Sequence, residues 1–413
     1  MLDIKFIREN AELVERSAKD KGYDVDIKKL LTLDVQRRQL TSEIDSLRER
    51  RNLVAARMKG GKPEVKLVEE GKNIKTELAG LEAKLIQVSN QFDELLKSVP
   101  NIMAPDVPIG GEENSTTVRE WGEKKTGAVD HLDFAIKRDW VDFERGAKVA
   151  GAKFYYLKNG LAELQAALYQ YGLRKVSQHG FGFMDVPYMV NARTMTGTGF
   201  APRSSDQSDE YAIEGEDLQL IATAEIPLTG YHADEIIDEA KLPLLYAGYS
   251  PCFRREAGAA GKHTRGLFRV HQFNKLEMYA FCTPEQSAEI HERILAIEEE
   301  VWQELGIAYR VINNASGDMG APAYKKYDIE YWSPVDGTYR ELTSCSNCTD
   351  YQARNLNIRV RRSDGRVEIL HTLNGTAVSL ARTLVTIIEN HQDGEKLIVP
   401  KVLRPYLDDR DIL

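Results

Sequence analysis

Cysteine is scarce in this sequence: four occur among 413 residues, at positions 252, 282, 345 and 348. So few cannot staple a disulfide framework, and the usage fits a reducing compartment. Long apolar runs are missing too. No stretch of about 18 uncharged apolar residues occurs, so no helical membrane span is expected. The opening MLDIKFIREN mixes acids with bases and lacks the apolar core of a secretion signal, which adds to the expectation of a cytoplasmic protein. The sequons at Asn114, Asn314, Asn347 and Asn374 are then chance matches. A net charge of −9 excludes indiscriminate nucleic-acid binding, yet it leaves room for a local basic element. The length is enough for two or three domains with cores of their own.

What is present first is helical periodicity. Ile74, Leu78, Leu81, Leu85, Val88, Phe92 and Leu95 recur in alternating steps of four and three, an a/d seam. Upstream, Leu33, Leu40, Ile44, Leu47, Val54 and Met58 keep the same register, with Arg37 and Arg51 in seam positions. Lys59-Gly60-Gly61-Lys62-Pro63 between them reads as a helix stop and turn. Two seams joined by a short turn predict an antiparallel hairpin over about 30–97, projecting as an arm. A dimerisation coiled coil is the plainer alternative. Around the turn, Arg48, Arg50, Arg51, Arg57, Lys59 and Lys62 face Glu49 alone, a local charge of +5. Arginines on a stiff helix suit the phosphates of double-stranded RNA. Pro100, Pro105, Pro108 and Gly110-Gly111 mark residues 100–115 as a linker between an N-terminal domain, 1–99, and a second domain, 116–413.

The second domain lacks the regular strand–helix alternation of a dinucleotide fold. Residues 246–256, 268–281 and 338–345 read as strands, and 161–176, 285–305 and 377–391 as helices, which predicts an α+β fold with a largely antiparallel sheet. Gly258-Ala-Ala-Gly261-Lys262-His263-Thr264 imitates a phosphate-binding loop. It fails on spacing, with two residues rather than four between the glycines and His263 after the lysine. It reads instead as the loop of a β-hairpin. With regular alternation, Arg269, His271, Phe273, Lys275 and Glu277 share a face of the second strand. Phe273 and Glu277 then stand roughly 13 Å apart, a span that suits a purine ring at one end and an ammonium at the other.

Arg254-Arg-Glu256-Ala-Gly, Thr264-Arg-Gly-Leu and Val270-His-Gln-Phe273 together resemble motif 2 of the class II aminoacyl-tRNA synthetases, in particular the seryl-tRNA synthetases. Thr223-Ala-Glu225-Ile-Pro, Glu341-Leu-Thr-Ser344-Cys-Ser-Asn and Thr372-Leu-Asn374-Gly-Thr376 followed by Arg382 match that family in order and spacing, and the basic N-terminal hairpin is its hallmark. The resemblance covers essentially the whole chain. It implies an antiparallel sheet flanked by helices, a homodimer with Phe183-Met-Asp-Val-Pro187 as motif 1, ATP and Mg2+ as cofactors, and L-serine, tRNA(Ser) and tRNA(Sec) as partners.

The same resemblance implies residue roles. Arg254 contacts the α-phosphate, Glu256 orients the adenine end, Phe273 stacks on adenine, and Arg382 contacts ATP from the opposite side; these three charged residues form the catalytic set. Arg255, Val270, His271, Gln272, Leu342 and Thr343 complete the ATP site. Glu341 and Ser344 are the magnesium contacts, although residues three apart face opposite ways on a regular strand, so a bulge or strand end is required there. Glu225 and Glu277 bind the serine ammonium, with Thr223, Ala224, Arg254, Asn374 and Thr376 around the small polar side chain. His263 departs from the commonest motif 2 loop. An amino-acid:carrier-protein ligase on the same catalytic domain has no use for the basic arm, and a catalytically dead homologue has no use for the full charged set. No structural zinc is expected at Cys345-Ser-Asn-Cys348, since Cys252 and Cys282 would have to supply the second pair and neither lies in a knuckle.

Overall fold

The computed structural model describes residues 1–58, 64–199, 210–256 and 265–413. The chain divides into two compact units: residues 2–19 with 23–100, and residues 1, 20–22 and 101–413. In the smaller unit, α1 (Ile27–Arg57) and α2 (Val65–Ser98) form the expected hairpin. The Asp26 side chain caps α1 by accepting from the Lys29 amide. Ile44, Val54, Ile74 and Leu78 are buried between the helices, with Leu47, Met58, Leu67, Leu81 and Leu85 packed around them. Arg37 occupies its seam position because its guanidinium lies 4.3 Å from the centre of the Phe92 ring. Toward the end of α2 the buried position moves from Leu95 to Leu96, the drift that a straight 3.6-residue helix accumulates against a heptad repeat. The turn residues Lys59 to Pro63 lie outside the described residues.

The larger unit is built on eight strands: β1 (Thr116–Trp121), β2 (Gly182–Asp185), β3 (Leu244–Phe253), β4 (Gln272–Cys282), β5 (Tyr309–Asn313), β6 (Lys325–Ser333), β7 (Thr338–Thr349) and β8 (His371–Ser379). Their order across the sheet is β1-β5-β6-β7-β8-β4-β3-β2, antiparallel throughout except for the edge pair β2 and β3. The flanking helices include α3 (His131–Lys137), α4 (Asn159–Gln178), α5 (Glu225–Gly230), α6 (Ser287–Glu304) and α7 (Leu380–His391). On β4 the side chains alternate cleanly. Met278, Ala280 and Cys282 join the core that holds Leu164, Ile294, Trp302 and Leu384, while Tyr279 and Phe281 pack with Ile226 and Leu228 on the other. The fold is therefore α+β, an antiparallel sheet between helices.

Several boundaries differ from the sequence reading. The strand expected over 246–256 ends at Phe253, and the one expected from 268 begins at Gln272. Gly266–Phe268 is instead a 3-10 turn, so Arg269, Val270 and His271 precede the strand, and Arg269 and His271 do not belong to its face. Helix α7 starts at Leu380 rather than 377, because Asn374-Gly375-Thr376 continues as β8. Strand β7 runs to Thr349 and carries both Cys345 and Cys348 within it. The segment read as a linker is packed in its first part. Ala104 and Val107 are buried with Met319 and Ala323, and Asn101 Nδ2 donates to the Cys348 carbonyl at 3.0 Å.

Candidate active site

Strand β3 delivers Arg254 and Glu256 just past its end, where the backbone leaves the ladder. Arg254 is anchored by its own amide, which donates to the His271 carbonyl at 3.0 Å, and by its carbonyl, which accepts from His271 Nδ1 at 3.0 Å. Its guanidinium lies 5.3 Å from the centre of the Phe273 ring. Glu256 sits at φ 52°, unusual for a residue with a side chain, and its Oε2 accepts from Arg269 at 2.8 Å. From the opposite wall, Arg382 on α7 pairs with Glu341 on β7 at 3.0 Å. That guanidinium holds the Glu341 carboxyl well below the usual carboxylate range. Arg254, Glu256, Val270, Phe273, Glu341, Leu342, Thr343, Ser344, Thr376 and Arg382 line one pocket. An aromatic face at one end and two arginines across it suit a nucleotide, with its ring at one side and its phosphates between the guanidinium groups.

The bulge demanded by Glu341 and Ser344 is present. Thr343 pairs with Ile329 while Glu341 pairs with Glu330, so β7 carries one extra residue between them. Leu342 turns into the core and is fully buried, which lets 341 and 344 both reach the pocket. A carboxylate and a hydroxyl at this spacing fit a hard divalent ion that keeps most of its waters.

The residues expected around the amino acid form two joined clusters. In the first, Glu277 Oε2 faces Lys275 Nζ at 2.5 Å, Thr223 Oγ1 at 3.3 Å and Thr376 Oγ1 at 3.5 Å. In the second, Glu225 Oε1 accepts from Asn374 Nδ2 at 2.9 Å and from Gln352 Nε2 at 2.7 Å. Burial, then repulsion from Glu277, pushes the Glu225 carboxyl up to about 7. Gly375 lies between Asn374 and Thr376 because a Cβ there would stand 2.3 Å from Ile294. Two adjacent buried carboxylates ringed by hydroxyls and an amide suit a small ammonium-bearing ligand with a hydroxyl of its own.

Other expected residues fall elsewhere. Arg255 and Gln272 are exposed and do not line the pocket. The His271 ring packs toward Phe154 at 5.5 Å and Tyr211 at 6.4 Å. Ala224 is buried packing, close enough to β3 that a Cβ at Gly248 would meet it at 3.0 Å. In the smaller unit, Arg48 is tied to Glu82 at 2.9 Å and Arg50 to Glu70 at 2.6 Å, so acids of α2 offset part of the +5 counted around the turn. Arg51 and Arg57 are exposed; Lys59, Lys62 and His263 lie outside the described residues. Sequence reasoning gave no role to Phe268, Lys275 or Gln352, although it set Lys275 on the shared strand face. Lys275 was legible, lying two residues from both Phe273 and Glu277 on one strand face. Phe268 and Gln352 carry no such signal, since both reach the site through tertiary packing.

All four cysteines are buried free thiols. Cys345 lies in the core, Cys348 Sγ accepts from Asn374 Nδ2 at 3.7 Å, and burial pushes both thiols far up. Among the described residues, the group of His, Cys, Asp and Glu close enough to share an ion is Asp130, His131 and Glu389, with no cysteine in it.

Comparison with known proteins bears on the whole chain. Residues 1–103 match the seryl-tRNA synthetase N-terminal domain, and residues 210–391 match the class II tRNA synthetase core domain (G, H, P, S and T). A serine--tRNA ligase of Dictyoglomus turgidum is 45% identical, with 98% of each chain covered. This chain belongs to the seryl-tRNA synthetase family. Another family member, from Treponema denticola, is 44% identical over 98% of each chain. The crystal structure of the seryl-tRNA synthetase from Pyrococcus horikoshii, solved in complex with ATP, superposes with a TM-score of 0.91 at 41% identity, covering 100% of this chain and 99% of that one. The cytoplasmic serine-tRNA ligase from Naegleria fowleri, in complex with AMP, gives 0.87 at 32% identity, covering 100% and 98%. Among the described residues no helix is long and apolar enough to cross a membrane.

Proposed function

We propose that this chain activates L-serine with ATP and transfers the seryl group to tRNA(Ser), and also to tRNA(Sec). The observation that carries the reading is the adjacency of a pocket and a buried polar cluster. The pocket is bounded by Arg254, Phe273, Glu341 and Arg382, and the Glu277–Thr223–Thr376 cluster shares Thr376 with it. In the first step a carboxylate oxygen of serine attacks the α-phosphorus, the bond to the bridging oxygen breaks, and pyrophosphate leaves. In the second, the terminal ribose hydroxyl of the tRNA attacks the seryl carbonyl, and AMP leaves with the bonding electrons.

The roles follow from charge and position. Arg254 holds the α-phosphate, where negative charge rises as the new bond forms, and Arg382 holds the phosphate chain from the other side. Phe273 stacks on the adenine and Glu256 orients its edge. Glu225 and Glu277 receive the serine ammonium, and Thr223, Asn374 and Thr376 surround its side chain. Hydroxyl and amide groups left unpaired penalise alanine, and a tight pocket penalises threonine. Glu341 and Ser344 would hold Mg2+, which neutralises phosphate charge when bound. Residues 1–99 serve as the tRNA-binding domain with the arm at about 30–97, and 116–413 as the catalytic domain. The chain works as a cytoplasmic homodimer through the edge at β2, where Phe183 on the strand and Tyr188 and Met189 beyond its end are exposed apolar side chains. The test is serine-dependent ATP–pyrophosphate exchange followed by charging of tRNA(Ser). Exchange with serine and not with alanine or threonine supports the reading; no exchange with any amino acid sinks it.

A further inference from the structure

The group of half-buried Asp130 with buried His131 and Glu389 has its polar atoms spoken for. Glu389 Oε2 accepts from Tyr331 at 3.1 Å and Ser333 at 2.9 Å, and its Oε1 lies 3.1 Å from His131 Nδ1. Asp130 Oδ1 caps helix α3 through the Leu132 amide at 2.9 Å. The remaining ring nitrogen, His131 Nε2, receives the backbone N–H of Leu267 at 3.3 Å. A backbone amide only donates, so Nε2 presents a lone pair and the ring proton sits on Nδ1, donated to Glu389. His131 thus has a fixed tautomer and a fixed orientation, and both of its nitrogens are used.

What it grips matters for the site. Leu267 and Phe268 both line the nucleotide pocket. The Phe268 ring lies 5.1 Å from the Arg382 guanidinium and 5.5 Å from that of Arg340. Arg265 is tied to the same helix, to Asp133 at 2.6 Å and Asp130 at 3.4 Å. Gly266 makes the approach feasible: it takes φ 63°, and a Cβ there would stand 2.3 Å from His131 Nε2. Glu389 stands two turns along α7 from Arg382, so one helix supports both ends of the chain Glu389, His131, Leu267, Phe268, Arg382.

We propose that His131 is a positioning residue for ATP: it pins the backbone at Leu267 and so holds Phe268 against Arg382, without touching the nucleotide itself. This rests on the nucleotide reading of the pocket given above. The experiment measures ATP and serine affinity separately, by titration calorimetry on the full chain, for the wild type, His131→Leu, His131→Gln and Gly266→Ala, with thermal unfolding of each. His131→Leu keeps the apolar bulk and removes the acceptor; Gln restores one acceptor and one donor. Loss of the anchor predicts about tenfold weaker ATP binding in His131→Leu and Gly266→Ala, the scale of one buried hydrogen bond. Serine binding stays within about twofold, and His131→Gln recovers most of the ATP affinity. If His131→Leu does not fold, Gly266→Ala carries the comparison from the other side of the contact. Wild-type ATP affinity in both variants, or equal weakening of ATP and serine, overturns the proposal. A wild-type chain that binds no ATP fails the nucleotide reading itself, and this inference falls with it.

Discussion

Replacing Arg382 by alanine separates what this residue does for stability from what it does for chemistry. Its guanidinium stands 3.0 Å from Glu341, with side-chain exposures of 16% and 43%. At an effective dielectric of 20 the bare attraction is about 5 kcal/mol, a ceiling. Glu341 is too exposed to keep that value, since water screens it and exposed pairs net at most about 1 kcal/mol. Loss of the Phe268 contact adds a similar amount. Folding stability is therefore expected to fall by about 1–2 kcal/mol, a shift of a few degrees in the unfolding midpoint for a unit of this size. The catalytic loss is expected to be larger. A single preorganised group facing developing phosphate charge contributes about 100- to 1000-fold in rate. The assay is serine-dependent ATP–pyrophosphate exchange, with kcat and KM for ATP measured beside thermal unfolding. A loss in kcat/KM of less than about tenfold would refute the assignment of Arg382 to the reaction. A fall in midpoint of tens of degrees would refute the electrostatic arithmetic, since the pair would then be carrying the fold.

Deleting residues 40–85 removes the whole apolar cluster of Ile44, Leu47, Val54, Met58, Leu67, Ile74, Leu78, Leu81 and Leu85 as one unit. Pyrophosphate exchange is expected to stay within about twofold of wild type and tRNA charging to be lost, because phosphate contacts dominate such binding; equal loss of both assigns the arm to folding. Glu298 is buried beneath Gly375, and burial raises its carboxyl well above 4.5. The folded chain then binds a proton that the unfolded chain releases at neutral pH, so stability falls as pH rises from about 4.5 toward the folded value. Glu298→Gln is expected to flatten that slope and to stabilise the chain at pH 8 by about 1–3 kcal/mol, read from urea unfolding at pH 5 and pH 8; an unchanged slope would mean that Glu298 is ionised in place. Burial, then Glu277, pushes the Glu225 carboxyl up to about 7, and an ammonium calls for its charged form. KM for serine is expected to fall severalfold between pH 6 and pH 8, and a KM independent of pH removes Glu225 from ammonium binding.

The sequence alone determined the elements whose periodicity is local. The heptad steps from Ile74 to Phe92 sufficed for α2, because residues recurring about one helical turn apart line a single face. The two-residue spacing of Phe273, Lys275 and Glu277 likewise sufficed for one face of β4. The short motifs around Arg254, Glu341 and Arg382 carried the family, since each lies within a few residues of its own strand or helix end. The requirement that Glu341 and Ser344 look the same way called for a bulge or a strand end, and the fold supplies the bulge. Tertiary structure decided the rest. Only the packed chain shows that Glu70 and Glu82 draw on the charge of Arg50 and Arg48, or that Gln352 reaches Glu225 from 127 residues away. The junction after Phe253 and before Gln272 was misread because strand propensity continues there while the ladder stops. His131 gave no signal at all, since its partners come from a turn 136 residues later and from helix α7. Periodicity reports which side of an element is buried; which groups meet across that burial is set by the fold, because a hydrogen bond between distant residues leaves no spacing in the sequence.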